Sequence, residues 1–199
     1  MTTSPTRTKR EITPEKGIEA SIDCIYAEGL NTAHTNRIAE AAGVSWGVLQ
    51  YHFGDKDGLL QAVLDHIFED FMETLEQTRL EGDELEARIR HLIEVVWSLV
   101  SQREYRVSIA ILRNAGKDDS SSLNGDRQIA QWAKKTTQLW DRLFEGDAPE
   151  PEKSETARHL LFATLRGMAD EINPRGRSAK TTRRELEALA RAMTYLLQS

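Results

Sequence analysis

Apolar residues recur along this chain at intervals of three and four, the spacing of one face of an α-helix. Ile18, Ile22, Ile25 and Tyr26 form the first stripe, opened by Thr13-Pro14-Glu15 and closed at Gly29. Thr as N-cap, Pro at the first helical position and Glu near the positive end of the dipole make a helix start. Gly ends a helix by taking the left-handed conformation. Two short helices are predicted next, over 35–42 and from the cap Ser45 through Tyr51, separated by Gly43-Val44. Asp55 is placed to cap a long fourth helix, whose apolar side runs from Leu59 and Leu60 through Ile67, Phe68 and Met72 to Leu75. Asp83 with Glu86 resembles a capping box ahead of the stripe Leu85, Ile89, Leu92, Ile93, Val96. Further helices are predicted over 103–114, 123–145 and 154–173, the last ended by Pro174. Thr182 with Glu185 is read as a capping box that opens a final helix. No segment alternates with period two. The reading is all-α, about nine helices, short at the N-terminus and longer after residue 58.

The remaining composition narrows the function classes. Of 199 residues, 39% are hydrophobic and 29% charged, an ordinary globular balance. No apolar run reaches the roughly 18 residues of a membrane helix, and Met1 to Arg10 lacks an apolar signal core. A cytoplasmic setting without a membrane partner is expected. Cys24 is the only cysteine, which excludes an intrachain disulfide and an all-cysteine metal site. Glu155 and His159, four apart, read as a surface pair rather than metal ligands, so no metal and no cofactor are expected. The net charge of −6 argues against indiscriminate nucleic-acid binding. Residues 1–58 carry six basic against eight acidic residues, a balance of −2. Residues 1–10, with Arg7, Lys9 and Arg10, read as a flexible basic arm.

The densest information lies between Thr35 and Leu49. Counting Thr35 as the first residue, Ala39 is fifth, Gly43 ninth, Val44 tenth and Leu49 fifteenth. A helix-turn-helix needs a small residue where its helices touch, a residue tolerant of positive φ in its turn, and apolar residues closing the corner. Ala39, Gly43, and the trio Ile38, Val44 and Leu49 meet those needs. An αα-corner without a nucleic-acid role satisfies the same frame.

The residues that follow sharpen this. Ile38-Ala39-Glu40, Ala42-Gly43-Val44-Ser45, Leu49, Tyr51-His52-Phe53, Lys56 and Leu59-Leu60 make the region 12–65 resemble the TetR/AcrR family of bacterial one-component regulators. The resemblance implies an N-terminal helix-turn-helix DNA-binding domain over 11–58 and a C-terminal ligand-binding and dimerisation bundle over 59–199. It implies that Thr35 caps the second helix and, with Asn36 and Arg37, approaches phosphates. Ser45 would cap the recognition helix, and Trp46, Gly47 and Gln50 would face the major groove. Tyr51, His52 and Lys56 would grip the backbone. Trp46 is bulky for its place and Gln50 stands where an aromatic is frequent, so the base preference is this chain's own. The partners implied are a double-stranded DNA operator, a small-molecule effector and a second copy of the chain. The function implied is a dimeric repressor released from a near-palindromic operator by a small apolar or amphipathic ligand.

The C-terminal part yields only expectations. Phe68, Met72, Trp97, Arg113, Trp140 and Phe162 are the candidate pocket residues, with Arg113 as charged anchor. Leu161, Leu165, Met168, Leu189 and Met193 lie on the last two apolar stripes and are the candidate homodimer interface. Arg175, Arg177, Lys180, Arg183 and Arg184 form a basic run read as solvated. Gly43-Val44-Ser45-Trp46-Gly47 matches the G-x-S-x-G nucleophile elbow, but that chemistry needs a strand before the serine. No catalytic residues are assigned and an enzyme is not expected. A helical ligand- or partner-binding protein without DNA binding remains the alternative.

Overall fold

The computed structural model describes residues 13–115, 123, 125–144, 149–175 and 179–199. The expected basic arm at 1–10 and residues 116–122, between the helices expected over 103–114 and 123–145, lie outside them. Among the described residues there are nine α-helices and no strand. They are α1 (Pro14–Glu28), α2 (Thr35–Ala41), α3 (Trp46–Phe53), α4 (Lys56–Gln77), α5 (Leu85–Val100), α6 (Arg103–Ala115), α7 (Asp126–Asp141), α8 (Pro151–Arg175) and α9 (Ala179–Gln198). No helix among them is long and apolar enough to cross a membrane.

Where the helix ends differ from expectation, the reasons are local. The N-cap of α2 is His34, so Thr35 is its first helical residue and not its cap. The N-cap of α5 is Glu84 rather than Asp83. Pro151, with its φ preset and no N–H to lose, opens α8 three residues earlier than Ser154. Pro174 sits inside the last turn of α8, which ends at Arg175. Because α9 begins at Ala179, Thr182 is a buried residue within the helix and does not cap it. Asp55 does cap α4: its Oδ1 accepts from the Gly58 N–H at 2.8 Å.

The chain forms two compact units. Unit one comprises Met1–His66 with Val107–Asn124, and unit two comprises Ile67–Arg106 with Gly125–Ser199. The division falls within α4 rather than after residue 58, and Val107–Ala115 of α6 joins the N-terminal helices. The apolar stripe of α4 is continuous, and Leu59, Leu60, Val63, Leu64, Ile67, Phe71 and Leu75 are all buried.

In unit one, α1 packs on α2 and α3, and α2 on α3. Ile22, Ile25, Ile38, Ala39 and Leu49 are its buried residues at this corner. Gly17 makes the approach of α1 to α3 possible: a Cβ there would stand 2.9 Å from Leu49 Cδ2 and 3.1 Å from Phe53 Cε2. In unit two, α5, α8 and α9 pack on one another. Ile89, Leu92, Ile93 and Val96 of α5, Leu161 and Leu165 of α8, and Ala190 and Met193 of α9 are buried.

Candidate nucleic-acid interface

The turn between α2 and α3 is closed by backbone bonds that only one conformation allows. The Val44 N–H reaches back to the Ala39 carbonyl and the Gly43 N–H to the Glu40 carbonyl, both at 2.9 Å. These are the paired bonds of a Schellman motif, which needs a left-handed residue at the turn. Gly43 supplies it, with φ +74°. A residue with a Cβ would pay roughly 1–2 kcal/mol to stand there. Ile38 and Ala39 at the end of α2 and Leu49 in α3 are buried by this chain reversal. The angle between α2 and α3 is therefore set by a handful of adjacent residues.

Burying Leu49 turns the opposite side of α3 outward. Trp46, Gly47, Gln50 and Tyr51 follow at i, i+1, i+4 and i+5, which makes one stripe. Gly47, Gln50 and Tyr51 are exposed and Trp46 is half-buried. Tyr51 is 86% exposed, far more than an aromatic ring serving the fold. Ser45 stands at the N-cap of α3. His52 lies off the stripe, its ring in edge contact with Tyr51 at 5.4 Å between centroids. Lys56 is the first residue of α4, where a cation opposes the helix dipole. Neither α2, α3 nor α9 has an acid in its first turn, whereas the other six helices each do.

Thr35, Asn36 and Arg37 form the first turn of α2. Thr35 is half-buried and Asn36 exposed. Arg37 is held: its Nε donates to Glu28 Oε1 at 3.0 Å and its Nη1 to Glu40 Oε2 at 3.1 Å. Hydrogen bonds to Glu28 and then to Glu40 push the guanidinium pKa further up. The Glu40 partner, three residues on, is visible in the sequence; Glu28, at the end of another helix, is not. Cys24 is buried, and desolvation raises its thiol pKa, which disfavours the thiolate. A helix, not a strand, precedes Ser45, so the elbow geometry is absent.

The candidate pocket residues do not gather into one site. In unit two, Phe68 lies 6.3 Å from Phe71, and Phe71 6.1 Å from Trp132, between ring centroids. Trp140 is buried, and its indole N–H donates to Ser154 Oγ at 2.9 Å. Met72 and Trp97 are half-buried. Phe162 lines a cleft of about 460 Å³ between α7 and α8 with Trp132, Thr136, Arg158, His159 and Arg166. Arg113 belongs to unit one, where it lines a cleft with Glu28, Leu30, Asn31 and Thr32. Arg158 and Arg166 were not anticipated, being charged residues with no sequence neighbour to mark them as cleft-lining, and Trp132 was expected only among the core aromatics.

The dimer candidates need a correction. Leu161 and Leu165 are wholly buried and Met193 is 6% exposed within a single chain, where α5, α8 and α9 meet. They cannot also cover a second copy. Met168 and Leu189 are half-buried. The outward sides of α8 and α9 carry Leu160, 46% exposed, and Tyr195, 76% exposed, among the exposed small residues Ala163, Gly167, Ala188 and Ala192.

Fold and site together define a class: among the described residues, an all-α protein that presents a helix-turn-helix with one side of its second helix open to solvent. Residues 18–63 match the family model for bacterial regulatory proteins of the tetR family. The chain is 40% identical over 79 residues to the HTH-type transcriptional regulator BetI 2 of Chromohalobacter salexigens, a match covering 39% of this chain and 38% of that protein. The chain thus spans well under half the length of the curated relatives it matches. Over nearly its whole length it resembles two solved structures. One is a transcriptional regulator from Rhodococcus sp. Rha1, with a TM-score of 0.65 and 26% identity, covering 94% of this chain and 97% of that one. The other is the superantigen PfiT, with a TM-score of 0.67 and 18% identity, covering 96% of this chain and 100% of that one; this second likeness concerns the fold alone.

Proposed function

We propose that this chain is a ligand-responsive transcriptional regulator that binds double-stranded DNA as a homodimer, acts as a repressor, and leaves a near-palindromic operator when a small apolar or amphipathic effector binds. The observation that carries the reading is the outward stripe of α3, above all Tyr51 at 86% exposure. Gln50 offers a bidentate amide to an adenine edge, and Trp46 an apolar face to a thymine methyl. Tyr51 and Lys56 supply phosphate contacts, with Thr35 and Asn36 at the start of α2 and Ser45 at the start of α3. His52, off the stripe, serves the backbone beside Tyr51. In this reading residues 11–58 bind DNA and 59–199 bind effector and partner.

Gly47 separates function from fold. A Cβ there would have only Ser45 Oγ within 4 Å, at 3.9 Å, so packing does not demand glycine. Gly47→Ala is expected to raise stability by about 0.5 kcal/mol, since glycine is a poor helix former. The same methyl group stands where a base edge must approach, and is expected to weaken operator binding roughly tenfold. Thermal melting and a binding isotherm on the same preparation check both signs.

The dimer reading moves to the outward side of α8 and α9. Gly167 lies in mid-helix with nothing within 4 Å of an added Cβ, so the chain's own packing does not require it. A second copy approaching closely would. For the effector, the cleft beside Trp132 and Phe162 offers aromatic walls with Arg158 and Arg166 at hand.

The test is selection of genomic DNA fragments by the purified protein at fixed salt. Enrichment of one near-palindromic site is the expected result. If no fragment is enriched and no salt-dependent complex forms, the DNA-binding reading fails. A helical ligand- or partner-binding protein is then favoured, for which the −2 balance of residues 1–58 speaks.

A further inference from the structure

Arg37 stands in the first turn of α2 beside Thr35 and Asn36, which the DNA-binding reading turns toward phosphates, yet its guanidinium is already engaged. Glu28, in the last turn of α1, takes Nε at 3.0 Å, and Glu40, toward the end of α2, takes Nη1 at 3.1 Å. Two carboxylates around one guanidinium leave the cluster with a net negative charge. Both carboxylates are on the unit that carries the reading helix. The Arg37 side chain is 51% exposed, so it has room to leave.

A guanidinium fork fits carboxylate and phosphate oxygens equally well, and exposed ion pairs are weak enough for a phosphate to displace them. We propose that Glu28 and Glu40 hold Arg37 as a latent phosphate contact, an internal pair of carboxylates that the DNA backbone must displace before Arg37 engages it. This rests on the DNA-binding reading above. While Arg37 is held, the acids screen it from every duplex alike. The clamp therefore lowers affinity without altering base preference, because phosphate contacts carry no sequence information.

The experiment measures binding against salt for the wild type, Glu28→Gln/Glu40→Gln, Arg37→Gln and the triple variant. The probes are a short duplex carrying the fragment selected by the wild type and an unrelated duplex of equal length. Melting temperatures are taken for all four proteins. In the wild-type complex the displaced carboxylates stay beside the phosphate and take up cation, which offsets the release that the Arg37 contact brings; with glutamines that release is whole. The double variant is expected to bind both duplexes about fivefold more tightly at moderate salt. Its plot of log affinity against log salt should be steeper by about one per head. In the Arg37→Gln background the same glutamine pair is expected to change neither affinity nor slope appreciably.

If the gain persists without Arg37, it is a general field effect of removing two acids, and the proposal is overturned. If the double variant binds more weakly and melts lower, the cluster is a structural tie between α1 and α2, which overturns it too. If the wild type forms no salt-dependent complex with either duplex, the DNA-binding reading itself falls and takes this proposal with it.

Discussion

Replacing Arg88 by methionine is expected to lower the unfolding free energy by about 2 kcal/mol. Arg88 is a charged residue on the buried side of α5, 9% exposed among Ile89, Leu92 and Val96. Its Nε donates to the Leu143 carbonyl at 2.9 Å, and its Nη1 to the carbonyls of Gly82 and Asp83 at 3.2 and 3.1 Å. One side chain thus holds the loop that enters α5 and the turn that leaves α7. Methionine keeps much of the volume and removes the burial cost of the charge, which works in its favour. It also leaves three carbonyls without the donor that satisfies them here. Gly82 and Asp83 are exposed, so water can take their carbonyls, but the Leu143 carbonyl is bonded in a buried setting and is left unsatisfied at a cost on the order of 1–3 kcal/mol, which outweighs the relief. Urea unfolding checks this: the midpoint should fall with little change in slope. A shift worth less than about 1 kcal/mol would mean that water takes over the Leu143 carbonyl as well. Arg142 does similar work, its Nη1 donating to the Thr78 carbonyl at 2.9 Å beyond the end of α4. These two arginines make the end of α7 the polar anchor of unit two.

Tyr51→Ala is expected to do the reverse, sparing the fold and removing the function. The ring is 86% exposed, with an edge contact to His52 as its aromatic neighbour. Surface changes of this kind stay within about 0.5 kcal/mol of wild type. A tyrosine hydroxyl on a phosphate is a hydrogen bond to a charged group, and its loss is worth roughly tenfold in affinity per head. Two heads on one near-palindromic site make that roughly a hundredfold. Tyr51→Phe separates hydroxyl from ring: it should share most of the loss if the hydroxyl carries the contact. A folded, dimeric Tyr51→Ala protein that binds the selected site as tightly as wild type would remove Tyr51 from the interface.

These predictions draw on different depths of information. The helix-turn-helix was readable because its determinants are adjacent in sequence. Ala39, Gly43 and Val44 close the turn through their own backbone, and no distant residue is needed to interpret them. Thr13-Pro14 and Asp55 likewise mark helix starts within one turn of chain. The capping signals at Asp83 and Thr182 misled for the complementary reason. A side chain able to cap does so only if the helix begins there, and neither α5 nor α9 does.

The apolar stripes of α8 and α9 show the limit most plainly. A period of three to four says that one side of a helix must be covered, but not by what. Leu161, Leu165 and Met193 could have faced a second chain; packing against α5 turned them inward. That left outside Leu160, which the apolar stripe of its helix includes, and Tyr195, which the stripe of the last helix does not. Charged side chains are less legible still, because their partners stand at any separation. Arg113 in a run of apolar neighbours looked like a pocket anchor and belongs to unit one. Arg37 looked like a bare phosphate contact and is held by Glu28 from another helix. Arg88 gave no sign of the carbonyl it meets fifty-five residues away. The sequence by itself determined the helices, the turn between α2 and α3 and the outward side of α3, because each depends on interactions within a few residues. Only the tertiary structure decided which apolar faces are core and which charges are engaged, because burial and ion pairing are set by segments far apart in the chain.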